Sequence, residues 1–250
     1  MADPRVALVT GGAKRIGCAI VEALAAAGYA VVIHCNTSRS EADALAAKLQ
    51  RQGAQAAVIQ ADLANPDAVA RLMPEAAGLF GPVSLLVNNA SVFLADTLHT
   101  IDVLTWNRQF SVNIRAPSVL AKDFAAALPK DHKGIIINII DQRVWKLTPE
   151  FYSYTLSKAA LWAATRTMAQ TLAPHIRVNA VGPGPTLGNL HDGDVGVKHE
   201  AASIPLQRQV DPREIADAVV YLAHASSVTG QMIAVDGGQH IGWKTPDIVG

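Results

Sequence analysis

Seven short runs rich in valine, isoleucine and leucine, at about 5–10, 30–35, 55–60, 83–88, 134–140, 175–181 and 231–235, recur along the chain with longer Ala-rich amphipathic stretches between them. Strands that are apolar on both faces must be covered on both faces, and a helix between successive strands makes them parallel. The expectation is an α/β protein with a doubly wound, parallel, seven-stranded sheet and helices on both faces. At 250 residues, with no internal linker or repeat, the chain suits a single domain spanning 1–250. Only the segment from about 185 to 209, with Gly188, Gly193, Gly196 and scattered charges, breaks the rhythm. It reads as a mobile substrate loop with room for short helices, of the kind that forms lids.

Charge and composition remove several function classes. Lys plus Arg and Asp plus Glu both number 21, and no long basic run occurs, so the electrostatic footprint of a nucleic-acid binder is missing. No apolar run approaches the roughly 20 residues that span a bilayer, and the start of the chain does not read as a signal peptide. Cys18 and Cys35 lack C-x-x-C spacing and read as free thiols in a reducing, cytoplasmic setting. His191, His199, His224 and His240 show no metal-ligand spacing, so no metal is expected.

The first apolar run leads into Gly11-Gly12-Ala13-Lys14-Arg15-Ile16-Gly17 and then a helical pattern. Glycines in a strand-turn-helix context let the backbone approach a pyrophosphate, whose charge meets unpaired N–H groups at the helix start. The second run ends His34-Cys35-Asn36-Thr37-Ser38-Arg39. An acidic residue there would bind a ribose 2′-hydroxyl, and none is present. Lys14, Arg15, Ser38 and Arg39 instead offer cations and a hydroxyl to a 2′-phosphate, which favours NADPH/NADP+ over NADH. Asp62 and Leu63 follow the third strand, where they could meet the adenine; Asp62 could equally cap the next helix.

Together the turn from Thr10 to Gly17, Asn88-Asn89-Ala90, Asn113, Tyr154-x-x-x-Lys158, Pro183-Gly184 and Asp236-Gly237-Gly238 resemble the short-chain dehydrogenases/reductases over the whole chain. Three departures from that family's usual pattern stand out: Arg15 for a glycine, Ser91 for a glycine after Asn-Asn-Ala, and Asp141 for the catalytic serine. They occur together in the pteridine reductases and the bacterial dihydromonapterin/dihydrofolate reductase-like proteins. The resemblance implies a Rossmann-type fold and a cofactor site built from Gly11, Lys14, Arg15, Ile16, Gly17, His34, Asn36, Ser38, Asp62, Leu63, Asn89, Ala90, Tyr154, Lys158, Pro183 and Gly184. It further implies Asp141, Tyr154, Lys158 and Asn113 as the catalytic set, Asn113 holding a water in the proton relay. Ser91, Phe93, Asp141 and Tyr154 would meet a pterin-like small molecule, with the Phe93 ring stacked on it. Family members pair through the helix that here carries Ala159–Ala164, which implies a homo-oligomer, dimer or tetramer; a buried intrachain face is the competing reading of that Ala-rich run.

The residues carry a chemical argument of their own. A tyrosine has an unperturbed pKa near 10, and Lys158, one helical turn after Tyr154, can stabilise its phenolate. Asp141 is the unusual element. In ketone reduction negative charge grows on oxygen; a serine can donate a hydrogen bond to it and a carboxylate cannot. Two like unit charges about 4 Å apart in an effective dielectric of about 20 repel by roughly 4 kcal/mol, about three decades in rate. A pterin removes the conflict. Its reducible groups are C=N bonds, hydride goes to carbon, and the neighbouring nitrogen needs a proton that an acid can supply. The expectation is an NADPH-dependent reductase taking a dihydropterin, or dihydrofolate, to its tetrahydro form. The alternatives are a short-chain reductase of another carbonyl substrate, such as a 3-oxoacyl thioester or small ketone, and a non-catalytic nucleotide-binding protein.

Overall fold

Parallel pairing runs through all seven strands. The computed structural model describes residues 5–188 and 193–243. Its strands are β1 (Val6–Val9), β2 (Ala30–Cys35), β3 (Ala56–Gln60), β4 (Val83–Asn88), β5 (Gly134–Ile139), β6 (Ile176–Pro183) and β7 (Met232–Val235), in the spatial order β3-β2-β1-β4-β5-β6-β7. Each falls on one of the seven apolar runs. The helices are α1 (Arg15–Ala26), α2 (Arg39–Arg51), α3 (Pro66–Phe80), α4 (Val103–Phe110), α5 (Ala116–Ala127), α6 (Tyr152–Leu172), α7 (Gly193–Ser203) and α8 (Pro212–His224).

Side chains alternate across the sheet, as the two-residue period of a strand requires. Ala7, Val9, Val31, Ile33, Leu85, Val87, Ile135 and Ile137 pack against α1, α2 and α8. Val6, Leu8, Val32, Leu86 and Ile136 pack against α3, α5 and the end of α6 on the other face. Both sets are fully or nearly fully removed from solvent, which is why the strands read as continuous apolar runs. Several helices start where side chains satisfy their first N–H groups. Asn65 accepts from Asp67 N and Ala68 N with Pro66 following, Asp102 accepts from Leu104 N and Thr105 N, and Asp211 forms a capping box with Glu214. Asp62 also caps locally, accepting from Ala64 N at 2.9 Å.

Within the segment 185–209, read as a loop with room for short helices, lies α7, and His191 falls outside the described residues. On α6, Leu161 is buried within the chain, Ala159, Ala160, Trp162 and Ala164 are half-buried and Ala163 is exposed. That helix therefore serves the core and keeps a partly open outer edge. Cys18 and Cys35 are free thiols. Among the described residues no helix is long and apolar enough to cross a membrane, and no group of His, Cys, Asp and Glu could hold a metal ion.

Candidate active site

The chain winds outward from β1 in both directions, so the turns after β1 and β4 diverge and leave a crevice at the carboxyl ends of the strands, where such sheets bind ligands. A cleft of about 1010 Å³ opens there. The glycine turn forms its floor. Gly11 has φ +62, and a Cβ on Gly17 would lie 2.1 Å from Gly11 O and 2.6 Å from Asn89 Nδ2, so only glycine permits this approach of helix, turn and neighbouring strand. Thr10 Oγ1 accepts from Asn89 N and Ala90 N, both at 3.0 Å, and Asn89 Nδ2 donates to Thr10 O and Gly11 O. These bonds lock the end of β4 onto the turn.

His34 is the other clamp. It is 1% exposed, its Nδ1 accepts from Gly11 N at 3.1 Å, and its Nε2 lies 3.0 Å from Ala61 O. One nitrogen must accept and the other must donate, which is the neutral tautomer with hydrogen on Nε2. Burial holds the imidazole in that form and lowers its pKa to about 4.

The cations differ in placement. Lys14 and Arg15 both line the cleft, whereas Ser38 stands at the start of α2 outside its lining. Lys14 is paired with Glu41 in the first turn of α2, and Arg39 pairs with Asp43 along its own helix at 2.9 Å. Arg15, at φ +57, reaches across to the segment after β6, donating to Gly188 O at 2.8 Å and Leu187 O at 3.1 Å. Ile16, Gly17, Asn36, Asp62, Leu63, Pro183 and Gly184 line the same cleft. Arg108 of α4 joins them, its Nη1 donating to Asp62 Oδ2 at 3.0 Å.

At the inner end, Tyr154 Oη donates to Asp141 Oδ2 at 2.9 Å, while Asp141 Oδ1 accepts from Arg143 N at 2.8 Å. Burial raises the Asp141 pKa, opposed by its hydrogen bonds and by the charges of Arg143 and Lys158. The Tyr154 pKa is pushed well up, first by burial and then by the Asp141 carboxylate. Lys158 is 2% exposed and donates to Ile139 O at 2.9 Å, with its Nζ 5.7 Å from the Tyr154 ring centre. Burial lowers its pKa to about 8. The lysine thus sits against the end of β5 and not on the phenol, and the ionisable group bonded to Tyr154 is Asp141.

Phe93 stacks on Phe151 with ring centres 4.2 Å apart and meets Tyr154 edge-on at 4.6 Å. Asn113 is not in the cleft wall. It is fully buried in a π-helical turn, Ser111–Arg115. Its Nδ2 donates to Val92 O and Ser157 Oγ, and its Oδ1 accepts from Val92 N and Ser91 Oγ. The amide therefore braces the segment after β4 against α6. Sequence reasoning did not single out Arg108, Arg143, Phe151 or Glu200 and weighed His199 only as a metal ligand, yet all five are in the cleft lining. Arg143 and Phe151 could have been suspected from their nearness to Asp141 and Tyr154; Arg108, His199 and Glu200 arrive by tertiary packing and leave no local signal.

A family model described as enoyl-(acyl carrier protein) reductase matches residues 11–240. An uncharacterised oxidoreductase of Mycobacterium tuberculosis is 36% identical over 94% of this chain and 92% of its own. A 3-oxoacyl-[acyl-carrier-protein] reductase of Synechocystis is 33% identical over 94% and 96%. Among solved structures, FolM alternative dihydrofolate reductase 1 of Brucella canis, complexed with NADP, superposes with a TM-score of 0.96 at 50% identity, covering 100% of this chain and 99% of that one. A blue fluorescent protein from a metagenomic library, in complex with NADPH, superposes with a TM-score of 0.87 at 36% identity, covering 94% and 97%. With a parallel seven-stranded sheet, a glycine-floored cleft and these relatives, the chain is an oxidoreductase of the short-chain dehydrogenase/reductase family, whose members work with a nicotinamide cofactor.

Proposed function

We propose that this protein is an NADPH-dependent reductase of a pteridine C=N bond, converting a dihydropterin, with dihydrofolate as a further candidate, to the tetrahydro form. The observation that carries the reading is the Asp141–Tyr154 hydrogen bond at the inner end of the cleft. The Brucella structure, a dihydrofolate reductase by its description and bound to NADP, supports both the substrate class and the cofactor.

The residues present fit the cofactor: the glycine turn lines the cleft at the start of α1, and a Cβ at Gly17 would strike Gly11 O and Asn89 Nδ2, the contacts that shape the turn. Lys14, just before α1 and paired with Glu41 in the first turn of α2, is the cation we assign to the 2′-phosphate, and Asp62, held by Arg108, is assigned to the adenine end. NADPH, when bound, supplies the hydride. The chain's own task is the proton. The substrate nitrogen next to the reduced carbon takes the hydrogen of the Tyr154 hydroxyl, and the phenol oxygen is reprotonated from the Asp141 carboxyl group. Burial raises the Asp141 pKa, so this carboxyl group can take up a proton and hand it on across its bond to Tyr154. Lys158, tethered to Ile139 O, sets positive charge behind both groups. Phe93, its ring plane set by Phe151, offers an apolar wall to a flat bicyclic substrate.

The test is NADPH oxidation with a panel of 7,8-dihydropterins, dihydrofolate and small ketones. Turnover of the pterins well above that of the ketones is expected. A reversed preference returns the protein to the general carbonyl reductases.

A further inference from the structure

Helix α6, which carries Tyr154 and Lys158, has no cap of its own. The residue before it, Phe151, lies in the left-handed region at φ +53 and offers no side-chain acceptor. Its first N–H groups are satisfied by a residue 56 and 57 positions earlier in the chain. Tyr152 N donates to Asp96 O at 3.1 Å, and Ser153 N donates to Asp96 Oδ1 at 3.0 Å and Oδ2 at 3.3 Å. Ser153 Oγ donates a further short bond to Asp96 Oδ2. Where α3, α4 and α8 are capped by the residue just before them, α6 is capped by another loop.

That loop is the one that carries Ser91 and Phe93. Gln109 ties it down from behind: its Nε2 donates to Ser153 Oγ at 2.6 Å and to Leu94 O at 3.3 Å, and its Oε1 accepts from Leu94 N at 3.4 Å. Asp96 is 6% exposed, and Ser153 and Gln109 are fully buried, so water does not compete for these bonds. Two pairs therefore run side by side between the same two segments, Phe93 on Phe151 and Asp96 on Ser153.

We propose that Asp96 is a positioning residue of the reductase centre: by capping α6 from the loop that carries Phe93, it holds the Tyr154 phenol and the aromatic platform in one fixed relation. A carboxylate suits the task twice over. It accepts several bonds at once, and its charge complements the positive N-terminal end of a 21-residue helix. Asp96 is not in the cleft wall and acts only through Tyr154 and Phe93. A misplacement of about 1 Å at a reacting group can lower rate by about 10²-fold.

The inference rests on Tyr154 as the proton donor. Its test compares Asp96→Ala, Asp96→Asn and Ser153→Ala with Tyr154→Phe, using whichever of 7,8-dihydrobiopterin or a small ketone the wild type reduces. Substrate kcat and KM, NADPH affinity by fluorescence titration, and the thermal melt are read for each. Asp96→Ala should lower kcat and raise substrate KM, each about tenfold, with NADPH affinity within about twofold. Asp96→Asn, which keeps an acceptor for Ser153 N, should recover most of the loss, and Ser153→Ala should fall between them. If Asp96→Ala does not fold, the other two carry the test through the same split between substrate and cofactor. Wild-type substrate parameters in folded variants overturn the proposal, as does a loss in which NADPH affinity falls in step with substrate turnover. If Tyr154→Phe itself retains turnover, it is the assignment of the proton donor that fails.

Discussion

Asp141 and Tyr154 are joined by a 2.9 Å hydrogen bond, and the carboxylate is one of the reasons the phenol resists ionisation. This reverses the arrangement expected from a Tyr-Lys pair alone, in which a cation would hold the phenolate. The two groups form one proton-holding unit, and its partition between oxygens belongs to the pair.

Removing the acid while keeping its shape tests that unit. Asp141→Asn should lower pterin turnover by a factor on the order of 10² or more, the range for lost general acid catalysis. Asp141→Ser, which places a hydroxyl donor there and removes the repulsion of roughly 4 kcal/mol that an ionised acid would set against a developing oxyanion, should hold or gain activity on a small ketone. The check is kcat/KM for one dihydropterin and one ketone in all three proteins. Undiminished pterin turnover in folded Asp141→Asn refutes the proton role.

Cofactor choice separates the two cations of the glycine turn. Lys14 lies against Glu41 at the head of α2, while Arg15 is turned onto the carbonyls of Leu187 and Gly188. Lys14→Ala should weaken NADPH about tenfold and leave NADH nearly unchanged, a loss of about 1.4 kcal/mol. Arg15→Ala should affect both cofactors alike. Binding titrations with each cofactor decide it, and the opposite pattern would hand the 2′-phosphate to Arg15.

His34 gives the fold a defined acid limit. Its folded-state pKa, about 4, lies below the value near 6.5 expected in the unfolded chain, so only the unfolded chain takes up this proton between the two. Stability from this group is complete above about pH 6.5 and is lost as pH falls toward 4, roughly 3 kcal/mol in all at about 1.4 kcal/mol per pH unit. Urea unfolding across that range should show the decline. His34→Gln should be less stable at pH 7.5 but should lack this part of the slope; a variant with the wild-type slope assigns the titration elsewhere.

Lys158 has the same sense of shift with a different meaning. Burial lowers its pKa from 10.5 to about 8, so holding it charged at pH 7 costs roughly 3 kcal/mol, a cost relieved as pH rises from about 8 toward 10.5. Lys158→Met should therefore melt a few degrees higher than wild type at pH 7 while losing turnover. A lower melting temperature would show that the Ile139 bond outweighs desolvation.

The seven strands could be read from the sequence because a sheet covered on both faces demands apolar residues at successive positions, and that pattern is local. Gly11, Gly17, Asn89, Asp141, Tyr154 and Lys158 were legible for a related reason: each sits at a strand end or on one helical face, so its spacing along the chain nearly sets its place in space. The bonds those residues make were not legible. That Lys158 turns to Ile139 O, that Asn113 braces Val92 and Ser157, that Arg15 reaches the segment after β6, and that Asp96 caps a helix 57 residues away all depend on which segments the packed sheet brings side by side. Hydrogen bonds between distant segments carry no period, and a buried polar group takes whichever partner the close-packed interior leaves within about 3 Å. The amino-acid sequence determined the sheet and which residues of the motifs line the cleft; tertiary packing alone decided their hydrogen-bond partners, and with them the pKa shifts on which the proposed proton chemistry rests.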